Sequence, residues 1–107
     1  MVPYTTPSFV ITINGDVDLR QASAVFVTVV QGPVSVTKSG ADVQISNNGT
    51  TVSVWLSQTE SMQFGIGTAY AQVNWTYMDV AAEEIRRLST EPLVVKVSEQ
   101  LYKQVIT

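Results

Sequence analysis

Apolar and polar residues alternate along most of the chain, in short runs that are separated by turn residues. The run "SFVITI" places Phe9, Ile11 and Ile13 on one face, and "SAVFVTVV" does the same for Val25 and Val27. Further runs of this kind occupy 34–36, 43–45, 52–56, 69–78 and 92–97. A period of two with many β-branched residues is typical of strands that are buried on one face.

The turn signals between these runs are strong. "NGDVD", "QGP" and "KSGAD" each interrupt an alternating segment, and "NNGT" is the strongest hairpin signal in the chain. Several short strands at regular spacing favour two packed sheets over a barrel or an α/β fold. The sequence therefore predicts an all-β antiparallel sandwich of about seven strands.

The strand alternation also predicts which side chains build the core. Trp75 is the expected central aromatic residue, because it shares the inward face of its strand with Val73. The predicted inward positions are Phe9, Ile11, Ile13, Val25, Val27, Val29, Val52, Val54, Leu56, Ala71, Val73, Trp75, Tyr77, Leu93, Val95 and Val97.

The segment "SQTESMQFG" carries the signature of a helix start. Ser57 is a suitable N-cap, and Glu60 stands at the third position after it, which is the spacing of a capping box. Gly65 then favours the end of the helix. We predict a short helical turn near 58–64 that carries the chain between sheets, with Met62 and Phe64 closing the open end of the sandwich.

The segment 79–91 allows two interpretations. Asp79 can cap a helix, and the following Ala, Glu, Ile, Arg and Leu residues favour one. A helix of about ten residues is marginal without packing, however. The favoured alternative is a hairpin loop at 80–84 followed by a strand that begins at Ile85.

The two ends of the chain differ from the middle. Residues 1–7 contain two prolines, which hinder strand pairing, so we predict an extended N-terminal arm and a single sandwich domain at 8–107. The final "SEQLYKQVI" predicts a short C-terminal helix that is capped by Ser98, with Leu101 and Val105 docked on the sandwich.

Composition excludes several kinds of chemistry. The 107 residues fit one domain, and they include no Cys and no His, which removes disulfides, thiolate metal sites and the commonest general base. The net charge of −3 predicts no basic face for nucleic acid. The longest apolar run, "AVFVTVV", is too short to span a bilayer, and no signal peptide is visible at the N-terminus. We expect a soluble protein with no membrane partner.

The carboxylates do not form a recognisable active site. Asp16 and Asp18 could contribute to a calcium site, but two carboxylates are too few for a cation that takes 6–8 oxygen ligands. Glu83 and Glu84 are neighbours on one loop and point apart, whereas acid–base catalysis on a glycoside needs facing carboxylates. We therefore expect no enzyme activity, no cofactor, no metal and no small-molecule substrate.

Aromatic residues that point away from the core are the candidate contact sites. Phe26 and Trp55 fall on the faces opposite the core valines. If their strands are neighbours in one sheet, the two rings form an exposed apolar patch of the kind that marks interfaces. Alternatively, the arm or the C-terminal helix covers them. Trp55 and Tyr70 are also candidate stacking platforms for a carbohydrate- or receptor-binding module.

The order of these motifs resembles a known family. The segments "FVITINGDVDL", "AVFVTVVQG", "TVSVWLSQTESMQFGIG", "AQVNW" and "VSEQL" are similar to the immunoglobulin-like domain at the N-terminus of phage baseplate upper proteins, and to related small prophage structural proteins. The family pattern L-T/S-Q-x-E/T-T/S-hydrophobic-x-F matches 56–64, and its hydrophobic-Q-hydrophobic strand matches 71–73. At 79–91 the family usually has a tight turn, which this longer segment replaces.

The resemblance implies an immunoglobulin-like sandwich and a non-enzymatic role in a phage or prophage particle. Such a protein would be made in the bacterial cytoplasm and reside in the virion, in the baseplate, neck or tail or on the capsid. Its partners would be other virion proteins and its own copies. The alternative is the carbohydrate- or receptor-binding module.

Overall fold

Eight strands, one helical turn and two short 3₁₀ turns make up the computed structural model, which describes residues 1–107. The strands are β1 (Ser8–Thr12), β2 (Ala24–Gln31), β3 (Val34–Ser39), β4 (Gln44–Ile45), β5 (Thr51–Trp55), β6 (Gly67–Asp79), β7 (Glu84–Ser89) and β8 (Leu93–Val97). The helical turn is α1 (Gln58–Ser61), and the 3₁₀ turns are Leu19–Gln21 and Gly40–Asp42. None of these helices is long enough to cross a membrane.

The strands form two antiparallel sheets that pack face to face. The three-stranded sheet has the order β1-β5-β4. The second sheet has the order β3-β2-β6, and both β7 and β8 pair with the far edge of β6. The long β6 makes this possible, because β8 pairs with 67–71 and β7 with 74–79. The all-β sandwich predicted from the sequence is confirmed.

Sixteen buried apolar residues fill the space between the sheets. Most predicted inward positions are among them, and Trp75 is only 7% exposed. Tyr77 and Leu93 were predicted to be buried and are exposed, while Phe9 and Val95 are half-buried. Tyr77 is exposed because β2 begins at the partner of Thr76, so that the sheet no longer extends beside it.

The segment 79–91 forms the predicted hairpin, and the helix alternative is wrong. The loop covers 80–83 and β7 follows it. Asp79, the candidate helix cap, instead accepts hydrogen bonds from the backbone N–H of Ala82 at 3.2 Å and from Arg86 Nε at 3.3 Å. Its carboxylate therefore closes the loop and ties the two strands of the hairpin together.

The capping box at Ser57 is confirmed. The N–H of Glu60 donates to Ser57 Oγ at 3.1 Å, and the N–H of Ser57 donates to Glu60 Oε1 at 2.8 Å. The helix is shorter than predicted, because α1 ends at Ser61. Phe64 is buried as expected, so the end of the sandwich is closed after a single helical turn. Met62, which was also predicted to close this end, is exposed instead.

The N-terminal arm lies against its own domain. The amino group of Met1 donates to the carbonyl of Lys96 at 2.6 Å, and the N–H of Ser98 donates to the carbonyl of Met1 at 2.8 Å. Further along the arm, Ser61 Oγ donates to the carbonyl of Thr5 at 2.7 Å. The arm therefore joins the end of β8 to α1.

The predicted C-terminal helix is wrong. Residues 98–107 contain no helix, and Leu101 and Val105 are exposed rather than docked. The side chain of Gln58 instead binds the backbone of Ile106, with Nε2 to O at 2.6 Å and N to Oε1 at 2.7 Å. A helix this short needs an apolar surface to pack on, and the core is already closed without it.

The carboxylate of Glu60 is shared between the helix cap and the edge of a sheet. Lys38 on β3 donates to Glu60 Oε1 at 2.6 Å, and the two side chains form an ion pair that is mostly shielded from solvent. Partial burial alone would raise the pKa of Glu60, but the hydrogen bonds from Lys38 and from the Ser57 backbone lower it overall. The folded state therefore favours the ionised carboxylate.

We expect Glu60→Gln to lower the free energy of unfolding by about 1 kcal/mol at neutral pH, because the amide keeps the cap geometry but loses the charge that pairs with Lys38. The pKa of Glu60 is lowered on folding, so its contribution is present above the ordinary value of 4.5 and is lost as the pH falls through the folded pKa. Urea unfolding of both proteins from pH 7 to pH 3 measures the difference.

The two unfolding curves should converge at the acid end of this series. The control is Glu91→Gln, since Glu91 is exposed and takes part in no ion pair. A Glu60→Gln cost that stays constant down to pH 3 would contradict the assigned role of its charge.

Candidate interaction surfaces

The three predicted interface aromatics lie on opposite sides of the sandwich. Trp55 is on the outer face of the three-stranded sheet, and it is 58% exposed. Phe26 and Tyr70, which are 38% and 49% exposed, lie on the outer face of the five-stranded sheet. The predicted Phe26–Trp55 patch is therefore wrong, because β2 and β5 belong to different sheets.

The structure shows neither a segment that covers these rings nor a stacking platform that Trp55 and Tyr70 share. The arm and the C-terminal tail leave all three rings exposed. Trp55 and Tyr70 also cannot form one stacking platform, since they face away from each other. The carbohydrate- or receptor-binding alternative stays a prediction, with Trp55 on one face and Tyr70 on the other.

Phe26 and Tyr70 share a face but are not in contact along it. Tyr70 pairs with Val30 and Phe26 pairs with Asn74, so the rings are four residues apart, or about 13 Å along the strands. A shallow groove of about 350 Å³ lies beside Tyr70, and Thr28, Val30, Gln72 and Pro92 complete its lining. The groove is open and mainly apolar.

Several polar side chains of this face are hydrogen bonded within the protein. Gln72 Nε2 donates to the carbonyl of Thr90 at 2.8 Å, and the hydroxyls of Thr28 and Thr37 are 3.0 Å apart. Arg87 donates to Asn74 Oδ1 from both Nε and Nη2, at 3.2 and 3.0 Å. These side chains therefore already have partners within the protein.

Charged residues are rare on both outer faces. The outer face of the three-stranded sheet carries none, and its side chains are Ser8, Val10, Thr12, Gln44, Thr51, Ser53 and Trp55. Charged residues make up only 14% of the chain, and most of them lie in loops, in the tail and on the β6–β7 hairpin. A neutral sheet face can be buried without desolvating a charge.

The β6–β7 hairpin extends beyond the sandwich. Past Thr76, β6 pairs with β7 alone, and all six residues of β7 are exposed. The molecule measures 54 × 26 × 21 Å, and its radius of gyration of 15.3 Å exceeds the ~13 Å expected for a compact chain of this length. The exposed apolar side chains of the hairpin are Tyr77, Met78, Val80, Ile85 and Leu88.

Sequence reasoning missed this extension, although it identified the hairpin. The available signal was a difference in strand length, because the alternating run at 69–78 is longer than the run at 23–30 with which it pairs. A longer strand beside a shorter one must leave part of its length without that neighbour.

Of the four acidic residues considered above, Asp18 and Glu84 have ion-pair partners, and Asp16 and Glu83 have none. Asp18 caps the 3₁₀ turn and forms a 2.7 Å ion pair with Arg20. The hydrogen bond from the Arg20 side chain lowers the pKa of Asp18, against the opposing effect of desolvation. Glu84 is 2.8 Å from Arg86 on the exposed hairpin, and no three acidic side chains are grouped closely enough to hold a metal ion.

No protein-family model matches the chain, and no curated protein or solved structure is significantly similar to it. The likeness to baseplate domains therefore depends on the motifs in the sequence and stays a prediction. The structure offers one neutral sheet face, on the three-stranded sheet, and a projecting apolar hairpin. Exposed apolar surface of this kind commonly marks contact sites.

Proposed function

We propose that this protein is a non-enzymatic structural subunit of a phage or prophage particle, located in the baseplate, neck or tail or on the capsid, and that it acts through protein–protein contacts. The observation that supports this function best is the projecting β6–β7 hairpin. The sequence resemblance to baseplate domains indicates the kind of particle, and the hairpin offers an apolar surface for contacts with neighbouring subunits.

The hairpin carries apolar side chains on both of its faces. Tyr77 and Leu88 lie on the face that Trp75 occupies further down β6, whereas Met78 and Ile85 are a cross-strand pair on the other face. A two-stranded ribbon is marginally stable when it is isolated in water. Contact with a neighbouring subunit would bury both faces and stabilise the ribbon.

The side chains of both arginines in the hairpin have partners within it. Arg86 binds both Asp79 and Glu84, and Arg87 binds Asn74 on the adjacent strand. A partner that covers the hairpin therefore need not supply a separate counter-charge for Arg86. This lowers the desolvation cost of burying a segment that contains charged residues.

The double substitution Met78→Glu/Ile85→Lys tests the role of the hairpin. It replaces the apolar pair with opposite charges at the same cross-strand position, which preserves strand pairing but makes burial costly. In particles purified from the phage that carries the gene, we expect mass spectrometry to detect the wild-type chain in several copies and the variant at a tenth of that level or less.

The matched control is Tyr70→Glu/Val94→Lys, which makes the same change at another exposed cross-strand pair of β6. This control should be incorporated normally. Absence of the wild-type chain from purified particles would refute the proposed function, and equal loss of both variants would remove the hairpin as its basis.

A further inference from the structure

The free edges of the two sheets are not equally protected against pairing with another chain. Proteins usually protect edge strands with charged residues, with proline, with a covering segment or by keeping them very short. Four of the five edge strands of this protein use such a device. The remaining one, β1, has the sequence Ser8–Thr12 (SFVIT) and uses none of them.

Each of the other edges has an identifiable protection. β7 carries Arg87, and β8 carries Lys96 and is covered at its end by Met1. On β3, Lys38 is the partner of the buried Val27, so its charge points inward from the edge. β4 has only two residues. No charged residue and no proline lies within β1, and β5 is its only pairing partner.

The hydrogen bonds at both ends of β1 show which backbone groups remain free. The N–H of Ile13 donates to the carbonyl of Thr50 at 2.8 Å, and the N–H of Leu56 donates to the carbonyl of Pro7 at 3.0 Å. Alternate residues of an antiparallel strand bond to the same neighbour. The odd-numbered residues of β1 therefore face β5.

The even-numbered residues Ser8, Val10 and Thr12 direct their N–H and C=O groups away from β5. Their side chains lie on the neutral outer face of the sheet and are exposed, and Val10 is 66% exposed. These three alternate residues therefore each leave one N–H and one C=O group open to solvent, and the central residue, Val10, is apolar.

We propose that β1 pairs antiparallel with β1 of a second copy of this chain, about a two-fold axis through Val10. In this register Ser8 lies opposite Thr12 of the partner subunit, and Val10 lies opposite Val10 of the partner subunit. All open groups are then matched, because three facing pairs each exchange two hydrogen bonds. The result is a continuous six-stranded sheet.

The side chains agree with this register on both faces. On the outer face, the two Val10 side chains meet on the axis, and each Ser8 hydroxyl lies beside Thr12 of the partner subunit. On the core face, the half-buried Phe9 meets Ile11 of the partner subunit. Apolar and hydroxyl cross-strand pairs of these kinds stabilise sheets, and no like charges oppose each other.

A second copy fits this edge better than an unrelated strand. The open groups are distributed symmetrically around Val10, so one two-fold axis satisfies all of them at once. The pairing deepens the proposed assembly function, on which it rests, by naming one contact and its partner.

Cysteine cross-linking tests the register directly, since the chain has no cysteine of its own. Hydrogen-bonded pairs in antiparallel sheets have Cα atoms about 5.5 Å apart, which is within the range that a disulfide spans. We expect Val10→Cys to form a disulfide-linked dimer on mild oxidation. The control Val94→Cys introduces an equally accessible thiol, 72% exposed in the wild-type residue, and should stay monomeric.

Sedimentation of the reduced, unmodified protein over a concentration series tests the free association. We expect the wild-type chain and Val94→Lys to dimerise. Val10→Lys places two charges on the axis, and Val10→Pro removes only the N–H that faces solvent, so each should weaken association roughly tenfold or more. Circular dichroism checks that each variant keeps its β structure.

Two outcomes would overturn the pairing: a wild-type chain that stays monomeric throughout, or a dimer that persists in both Val10 variants while Val10→Cys does not cross-link. Particle incorporation is measured separately. Incorporation without β1 pairing overturns only this inference, and β1 pairing in a protein that never enters particles overturns only the proposed function.

Discussion

Trp75→Ala is expected to lower the free energy of unfolding by about 3–5 kcal/mol, the usual cost of removing a buried aromatic side chain. Trp75 is 7% exposed, and it pairs with Val25 on one side and Leu88 on the other. It therefore packs where β2, β6 and β7 meet, at the base of the projecting hairpin. Since a domain is typically stable by only about 5–15 kcal/mol, this loss is a large fraction of the total.

Trp55→Ala provides a matched control for this prediction. The substitution is chemically identical, but Trp55 is 58% exposed on the outer face of β5, so its cost should stay below about 1 kcal/mol. Urea unfolding measures both costs. Fluorescence adds a second readout, because Trp55→Ala leaves only the buried indole and should shift the emission to shorter wavelength. Equal costs at the two positions would contradict the placement of Trp75 in the core.

The second large effect is expected at Gly49, where alanine should cost about 2–4 kcal/mol. Gly49 has a φ of +75°, which strains any residue with a Cβ. A Cβ at this position would also lie 1.9 Å from Asp18 Oδ1. Asp18 cannot easily move away, because its carboxylate binds Arg20 and the N–H of Leu19 donates to the carbonyl of Gly49 at 2.8 Å.

Gly40→Ala separates the backbone strain at a positive φ from the contact with Asp18. Gly40 has a similar φ of +59°, but no atom lies within 4 Å of the position that its Cβ would take. Its substitution should therefore show the backbone strain alone, about 1–2 kcal/mol. The difference between the two variants in urea unfolding measures the contact with Asp18. If Gly49→Ala is no more destabilised than Gly40→Ala, the close approach of the two loops is not as described.

Local features of the fold follow from the sequence because their causes are local. The capping box depends on Ser57 and Glu60, which are three residues apart, and "NNGT" marks the turn that joins β4 to β5. The loop after Asp79 is closed by contacts within seven residues. Alternation within one strand likewise predicts that Trp75 is buried and Trp55 exposed.

The candidate surfaces depended on information that a single strand does not carry. Alternation shows that Phe26 and Trp55 both point away from the core, but it does not show that they point away in opposite directions. That depends on which strands share a sheet. The bare edge of β1 likewise becomes visible only when its single pairing partner is known.

The sequence by itself determined the β class, the positions of most strands and turns, and the inward face of nearly every strand, since backbone geometry and burial impose these on neighbouring residues. Only the tertiary structure decided the partition into sheets, the exposure of Tyr77 beyond the end of β2, and the tail held by Gln58 in place of a helix. Each of these depends on segments far apart in the chain, and a local pattern does not specify where such segments meet.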